Sequence, residues 1–408
     1  MDGSAESAEI MSVMKPLDYL CKVFGLASFY LCKKRKTTGN IFLQPEVWWP
    51  CLWAATYAVN LCLEIRDTVL LKETPGKIKT VYLLYYLSLQ VTNITSLCVC
   101  SILKRHQIPH IVHQIEELGN IFMIKVDRNI MYSRMGQFVI SETVLLLFYI
   151  AINIFYVSVY IIYDSSILTC LMSSLESLGC TFNSLMILQL VTVIIISRHI
   201  CRCINHELDV CCDMIENSSR YSIIFHTEGV SIFRSLEVKR FGCLRDHIRS
   251  LRLVYSRLHQ VTRLINANYG LPILLGISWL FMSVVSVLYA TLYYFIYIPY
   301  TDNSFIRYGN VSVSVLSCIF CVILMALLTT ACLVMGNETH MTVFRIQKIL
   351  LHRDLGQETK NELKKFCSQV IHLKLEFSVC GLWKLNLPFF NSFISKFFAY
   401  FIITFQLN

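Results

Sequence analysis

The sequence predicts an all-α membrane protein with seven transmembrane helices, and three observations support this fold class. The 408-residue chain is 55% hydrophobic by composition. Only 15% of its residues are charged, against roughly 25% in soluble domains. Its apolar residues fall into seven long blocks separated by charged segments, and each block has about the 20 residues that an α-helix needs to cross a bilayer.

Each predicted span is an apolar run that charged or polar segments bound. The seven spans lie at 43–65, 80–103, 137–162, 167–197, 269–299, 310–335 and 387–407. Several are longer than the minimum, which predicts tilt or a helical extension out of the membrane. A basic cluster comes before the first block without a cleavable signal peptide, so we expect the first span to act as an uncleaved signal anchor.

The distribution of Lys and Arg predicts the orientation. Thirty of these residues lie in the N-terminal segment and the 104–136, 198–268 and 336–386 loops, and five lie in the loops on the opposite side. Because basic loops stay in the cytoplasm, we expect a cytoplasmic N-terminus and an extracellular C-terminus. The net charge of +9 is therefore a topology signal, and we predict no nucleic-acid partner.

Two cytoplasmic segments show the spacing of amphipathic helices. Within the 198–268 loop, apolar side chains recur at helical intervals, at Leu244, Ile248, Leu251, Tyr255, Leu258, Val261 and Ile265. A second such helix precedes the last span, with Leu363, Phe366, Cys367, Val370 and Ile371. We expect these helices to extend the spans into the cytosol and to form an anchor region. The chain then divides at 335/336 into a part with spans one to six and a part with the last span.

No motif points to catalysis, a cofactor or a metal site. The cluster Cys201, Cys203, His206, Cys211 and Cys212 matches no structural zinc spacing. The chain has no phosphate-binding glycine loop, no nucleophile elbow and no metal-binding His-Glu pair on a helix. We therefore predict that the protein is not an enzyme, and we expect its eighteen cysteines to be reduced thiols.

The last 45 residues resemble the insect gustatory receptor family. That family ends in Thr-Tyr, five apolar residues and Gln-Phe. Here Tyr400 and Gln406 stand at the correct separation, whereas Ala399 replaces Thr and Leu407 replaces Phe. The preceding run Phe377-Ser378-Val379-Cys380-Gly381-Leu382, followed by Asn386, is also similar to the family. Elsewhere the resemblance is one of architecture only.

The resemblance implies a ligand-gated, non-selective cation channel in the plasma membrane of chemosensory neurons. It implies a tetramer, homomeric or with related subunits, in which the last helix of each subunit lines a central pore. Helical spacing puts Tyr400, Ile403, Gln406 and Leu407 near one stripe. Stacked apolar and amide rings can gate and hydrate passing cations. The family motif implies that Gln406 and Leu407 lie at the narrowest point.

The resemblance also implies a tastant pocket among spans one to six that opens outward. The candidates are aromatic or polar side chains within the spans: Tyr156, Tyr160, Glu176, Asn183, Tyr289 and Tyr293. Aromatic walls with a few hydroxyls suit small amphipathic molecules. Tyrosines near a membrane surface are also typical of interfacial belts, and Glu176 and Asn183 can serve inter-helix hydrogen bonds instead.

Lys396 lies inside the last predicted span, where a lysine is costly unless it is paired or hydrated. It can face a hydrated vestibule, extend to the cytoplasmic interface or pair with Glu176. Of these, the sequence favours the cytoplasmic interface or the pair with Glu176 over the hydrated vestibule.

Two other classes are less consistent with the sequence. A G-protein-coupled receptor requires an extracellular N-terminus and motifs at the ends of spans three and seven that the chain lacks. A secondary transporter usually has an internal repeat and broken helices near the membrane centre, and neither is visible. Phe401 stands where the sugar-sensing branch of the family often has Glu, which leaves bitter compounds, fructose or another cue open.

Overall fold

The computed structural model describes residues 8–26, 45–70, 76–104, 107–122, 128–163, 167–224, 230–296, 304–352 and 355–406. These residues form long helices and one short hairpin. The helices are α1 (Ala8–Val23), α2 (Pro45–Leu70), α3 (Gly76–Ser96), α4 (Gln107–Phe122), α5 (Arg128–Tyr163), α6 (Ile167–Ile224), α7 (Val230–Ile296), α8 (Ser304–Leu350), α9 (Gln357–His372) and α10 (Leu387–Gln406). A π-helical segment, Leu97–Leu103, continues α3.

The seven longest helices follow the seven predicted spans in order. Five contain segments that are apolar and long enough to cross a membrane: Thr80–Leu103, Met135–Phe155, Cys170–Glu216, Leu244–Tyr289 and Val311–Leu350. The described parts of the first and last predicted spans lie in α2 and α10, which have 26 and 20 residues. Residues 43 and 44 of the first predicted span and 297–299 of the fifth lie outside the described residues. The last residue of the seventh predicted span, Leu407, lies outside the described residues.

Three helices are far longer than a bilayer requires. Helices α6, α7 and α8 have 58, 67 and 47 residues, and at 1.5 Å per residue all three exceed the roughly 30 Å hydrocarbon core. The anchor region comprises their extensions at 198–224, 244–268 and 336–350, together with α9. The predicted division at 335/336 falls inside the continuous helix α8, and the division into two parts stays a prediction.

The helical pattern predicted in the anchor region is present. All seven apolar residues predicted between 244 and 265 are buried on one face of α7. In α9, Leu363, Phe366 and Val370 are buried, and the ring of Phe366 packs edge-on against Tyr255 of α7 with 5.9 Å between centroids. Ile371 is 46% exposed, so its assignment to the buried face was wrong. It lies one residue beyond the ridge that Leu363, Phe366 and Val370 form.

Two helices lie outside the predicted elements. Helix α1 buries Leu17 and Cys21, and α4 buries Ile108, Ile111 and Ile115. The spacing of the α4 isoleucines is helical, but the 16-residue segment is too short to cross a bilayer. Helices of this length are therefore not among the predicted membrane spans.

A two-stranded hairpin connects the anchor region to α10. Strand β1 (Ser378–Val379) pairs antiparallel with β2 (Trp383–Lys384). Gly381 in the turn has a φ of 72°, which a residue without a Cβ adopts at little cost. A Cβ on Gly270 of α7 would lie 3.2 Å from the backbone nitrogen of Cys380, so this glycine lets the hairpin approach α7 closely.

Side chains fix the two ends of this connection. The amide of Asn266 on α7 donates to the carbonyl of Glu376 over 3.0 Å and accepts from the backbone N–H of Ser378 over 3.3 Å. The Oδ1 atom of Asn386 accepts from the backbone N–H of Phe389 over 3.1 Å, which caps the start of α10. The path from α9 to α10 is thus held by specific hydrogen bonds.

Candidate functional site

Among the described side chains of α10, those packed against the rest of the chain lie along one side of the helix. Phe393 and Phe397, one turn apart, are buried and form its packed ridge, and the ring of Phe393 meets Phe281 of α7 with 5.7 Å between centroids. Away from that ridge, Phe398 and Ile402 are more than half exposed. Within the residues that the structure describes, a large apolar surface of α10 is therefore left uncovered.

The residues of the predicted stripe on α10 do not share one face: they lie at different angles from the packed ridge. At about 100° per residue, Tyr400 lies roughly 40° from the packed ridge, Ile403 about 100° and Gln406 about 160°. Tyr400 is 54% exposed, and its ring meets Phe281 edge-on at 5.6 Å. Ile403 is 50% exposed. Gln406 belongs to α10, but its side chain and the whole of Leu407 lie outside the described residues.

Lys396 lies on the exposed part of α10. Glu176 of α6 accepts a hydrogen bond from the hydroxyl of Tyr86 on α3 over 3.2 Å. Within the described part of the chain, no ion pair joins Lys396 to Glu176. The structure therefore does not favour the pairing that the sequence left open.

A second group of polar side chains lies inside the bundle of α2, α3 and α6. Asn183 is fully buried, and neither its Nδ2 nor its Oδ1 has a hydrogen-bond partner in the described part of the chain. The same holds for both amide atoms of Asn60 on α2 and for the hydroxyl of Tyr57. Buried polar atoms without partners are costly, so such atoms indicate a place for water or a polar ligand.

A glycine brings the three helices of this region together. A Cβ on Gly179 of α6 would lie 2.5 Å from Nδ2 of Asn93 on α3 and 3.6 Å from the ring of Tyr57 on α2. The Tyr57 ring also lies 6.1 Å from that of Phe182. The structure thus brings polar and aromatic groups of α2, α3 and α6 together around Gly179, and none of these groups was a predicted site residue. The predicted Asn183 follows Gly179 by one turn of α6.

Of the four tyrosines predicted to line the pocket, the structure describes the side chain of one. Tyr289 is buried in α7. Tyr156 and Tyr160 lie in α5 and Tyr293 lies in α7, but their side chains are outside the described residues. The structure therefore gives no grouping of these tyrosines with Glu176 or Asn183.

The sequence analysis missed a buried carboxylate in α5. Glu142 is almost fully buried, and its Oε2 accepts a hydrogen bond from the hydroxyl of Thr192 on α6 over 2.7 Å. An acidic residue inside an apolar block was the available signal. Such residues are rare within membranes and commonly have structural or functional partners.

In the anchor region, α6 and α8 face each other through a series of polar contacts. Asn205 donates to the carbonyl of Glu338 over 3.0 Å and accepts from the hydroxyl of Thr342 over 2.6 Å. One turn further along, Nε of Arg345 lies 2.7 and 2.8 Å from the two carboxylate oxygens of Asp209. These pairs fix the register of the two helices.

The series ends in a cluster of three possible metal ligands. Cys212 and Glu216 lie one turn apart on α6, and His352 lies just after α8. Their ligand atoms all lie within 4.8 Å of one another. The sequence analysis had grouped Cys212 with cysteines that are near in the chain, whereas its partner His352 is 140 residues away.

The family model of the 7tm chemosensory receptors matches residues 14–407 of the chain. Among solved structures, the chain is similar to the insect olfactory receptor OR5 from Machilis hrabei, with a TM-score of 0.65 at 12% identity. It is also similar to the same receptor in complex with eugenol, with a TM-score of 0.64 at 10% identity. Both alignments cover 99% of this chain and 100% of the receptor. No curated protein sequence matches the chain.

Proposed function

Because the chain belongs to the 7tm chemosensory receptor family, we propose that it is a gustatory receptor that acts as a tastant-gated, non-selective cation channel. It works in the plasma membrane of chemosensory neurons. The observation that carries this proposal is the uncovered apolar surface of α10, the helix that bears the terminal Tyr400 and Gln406 pair. A membrane helix with this surface next to its motif suits a pore that several copies build together.

A fourfold assembly gives the exposed side of α10 a role. The packed ridge of Phe393 and Phe397 holds the helix on α7 of its own subunit, so the opposite side faces the symmetry axis. By helical register this side carries Gln406, and Ile403 stands between it and the ridge. Four amides at Gln406 form a ring that hydrates cations without trapping them, and the apolar residues beside it close the conduit by excluding water.

The ligand site lies inside the bundle of α2, α3 and α6, near Asn183 and Glu176. The unpartnered amides of Asn60 and Asn183 can hydrogen-bond a polar group of the ligand, and the aromatic rings around Gly179 can pack on its apolar part. The likeness to a receptor that binds eugenol supports a small amphipathic molecule of this kind.

Opening follows from a shift in population. A ligand that binds the open arrangement more tightly than the closed one shifts the equilibrium toward the open arrangement, by an amount set by the ratio of the two affinities. The hairpin that Asn266 holds against α7 connects the bundle to α10, so a movement of α7 reaches α10 directly. Widening the rings at Gln406 and Leu407 then admits cations. The N-terminus is cytoplasmic in this proposal, since the basic loops lie on that side.

The test is a panel of tastants on cells that express this chain alone, recorded in the absence of added G protein. We expect ligand-evoked cation current, and we expect Gln406→Ala to change its conductance or selectivity. Phe148→Ala is the control, because it alters an exposed aromatic side chain on α5 rather than on α10. Silence across a broad panel, with the protein at the cell surface, would argue against a homomeric channel.

Topology and assembly have their own measurements. Epitope tags at the two ends should be accessible from inside at the N-terminus and from outside at the C-terminus. Native mass spectrometry of the detergent-purified protein should give four subunits. A tag reached from outside at the N-terminus would contradict the predicted orientation, and a monomer would contradict the shared pore.

A further inference from the structure

The cluster of Cys212, Glu216 and His352 has the dimensions of a metal site. The Sγ atom of Cys212 lies 3.5 Å from Oε1 of Glu216 and 3.9 Å from Nε2 of His352. The Nε2 atom of His352 lies 3.8 Å from Oε1 of Glu216. In a tetrahedral zinc site with ordinary bond lengths, such atoms are about 3.4–3.6 Å apart. Shifts of a few tenths of an ångström therefore suffice for all three to bind one ion.

The chemistry of the three side chains indicates which metal ions could bind. A thiolate, an imidazole and a carboxylate suit Zn²⁺ and similar ions, whereas Ca²⁺ and Mg²⁺ prefer oxygen ligands alone. Cys212 is buried, while Glu216 and His352 are partly exposed. The cluster is thus reachable from solvent on one side, which leaves room for water as a fourth ligand.

Lys348 is the group that competes with a metal at this place. Its Nζ lies 3.3 Å from Oε1 of Glu216. Its side chain is 53% exposed, so it can turn into solvent when a divalent cation takes its place. A simple ion pair between Glu216 and Lys348 explains neither the buried thiol nor the imidazole beside them.

We propose that Cys212, Glu216 and His352 bind one Zn²⁺ ion or a chemically similar cation, with water as the fourth ligand. Binding releases the proton of the Cys212 thiol to solvent, and the metal then joins α6 to the end of α8. These are the same two helices that Asp209 and Arg345 hold in register further along. The metal therefore ties together the far end of the anchor region, which is remote from α10.

The primary experiment is a Co²⁺ titration of the full-length, metal-stripped protein in detergent with a phosphine reductant. A cobalt–thiolate bond gives a charge-transfer absorption that nitrogen and oxygen ligands do not give. We expect one equivalent to bind with this absorption, and we expect Zn²⁺ to displace it. Cys212→Ser should abolish the absorption, and Glu216→Gln and His352→Gln should each weaken binding at least tenfold.

Cys367→Ser is the control, because Cys367 is a partly buried thiol of α9 outside the cluster. It should leave the absorption and the affinity unchanged. Absence of the absorption in the unsubstituted protein, or its persistence in Cys212→Ser, would overturn the proposal. An equal loss in Cys367→Ser would show binding at scattered thiols and would overturn it as well.

Two further measurements guard against misfolded variants. Zn²⁺ should raise the melting temperature of the unsubstituted protein by a few degrees, and it should leave that of Cys212→Ser unchanged. Lys348→Met removes the competing ammonium group, so we expect metal to bind several-fold more tightly. Weaker binding by Lys348→Met, in a variant with an unchanged melting temperature without metal, would contradict the competition of Lys348 with the metal for Glu216 and would overturn the proposed site.

Discussion

Helices α9 and α10 have similar lengths, but α9 buries its apolar side against other helices of the chain, whereas α10 leaves much of its apolar surface exposed. The 16-residue helix α9 buries Leu363, Phe366 and Val370 between α7 and α8 and exposes its charged side. The 20-residue helix α10 buries Phe393 and Phe397 but leaves Ile403 half exposed. One helix completes its packing within the chain, and the other needs lipid or further subunits to cover it.

This difference in burial predicts that α9 contributes mainly to the stability of the fold and α10 mainly to the proposed assembly. Apolar burial stabilises the chain at about 25 cal/mol per Å² removed from water, and the anchor region gains this within a single subunit. The exposed surface of α10 gains nothing of the kind until partners cover it. Substitutions in α9 should therefore act on folding, whereas substitutions on the uncovered side of α10 should act on assembly and current.

The largest effect on stability is expected from Phe366→Ala. The side chain is fully buried and packs against Tyr255, so its loss leaves a cavity. Truncations of this type cost about 3–5 kcal/mol. Thermal melting of the purified protein measures the effect. Phe398→Ala on α10 should shift the melting temperature little, and an equal shift for both variants would remove the contrast between the two helices.

Thr342→Val should have the next largest effect. The change keeps the volume of the side chain but removes the hydroxyl that donates to Oδ1 of the buried Asn205. An unsatisfied buried polar group costs about 1–3 kcal/mol. Thr56→Val is the control, since its hydroxyl bonds only the carbonyl of Leu52 within α2. A stable Thr342→Val protein would mean that the polar contacts between α6 and α8 contribute specificity rather than stability.

A smaller effect is expected for Glu362→Gln in α9. A hydrogen bond from Lys365, with the nearby charges of Arg252 and Arg249, lowers the pKa of Glu362. A lowered pKa stabilises the folded state above the ordinary glutamate pKa, and this contribution disappears as the pH falls through the lowered value. Melting should show a loss of about 0.5 kcal/mol or less at neutral pH. The variant and the parent should converge in acid, and a difference that grows there would contradict the assignment.

Ile403→Ala should leave the melting temperature almost unchanged, because half of the side chain is already exposed in the single chain. Its effect should be on current, since a smaller apolar group beside the Gln406 ring weakens closure and raises leak. Ile319→Ala on α8 is the matched control, because that isoleucine is also 50% exposed but lies on another helix. Equal leak from both variants would show that Ile403 has no special position toward the conduit.

Much of the fold was predictable because its signals are local. An apolar run of 20 residues has few alternatives to a membrane helix, which is why the spans match α2, α3, α5 to α8 and α10. The repeat from Leu244 to Ile265 predicted the buried face of α7 correctly. Helices α1 and α4 were not predicted because their apolar runs are short. Ile371 is exposed because it lies one residue beyond the buried ridge of α9.

The candidate sites were less predictable because they depend on distant pairs. Glu176 and Asn183 were visible as polar residues in an apolar span, but Tyr86, which donates a hydrogen bond to Glu176, comes from another helix. Cys212 was visible as part of a cysteine-rich stretch whose spacing matches no zinc site. Nothing in the local sequence relates Cys212 to His352.

The sequence by itself determined that the chain crosses a membrane as helices, where the charged segments lie and which motif ends it. Those properties follow from composition and from repeats within one helix, because an isolated segment partitions into lipid by its own hydrophobicity. Tertiary structure alone decided which polar groups of α2, α3 and α6 meet and that Cys212 and Glu216 of α6 lie beside His352 after α8. It also decided which side of α10 stays open, since side chains far apart in the chain meet only when packing sets the register of their helices.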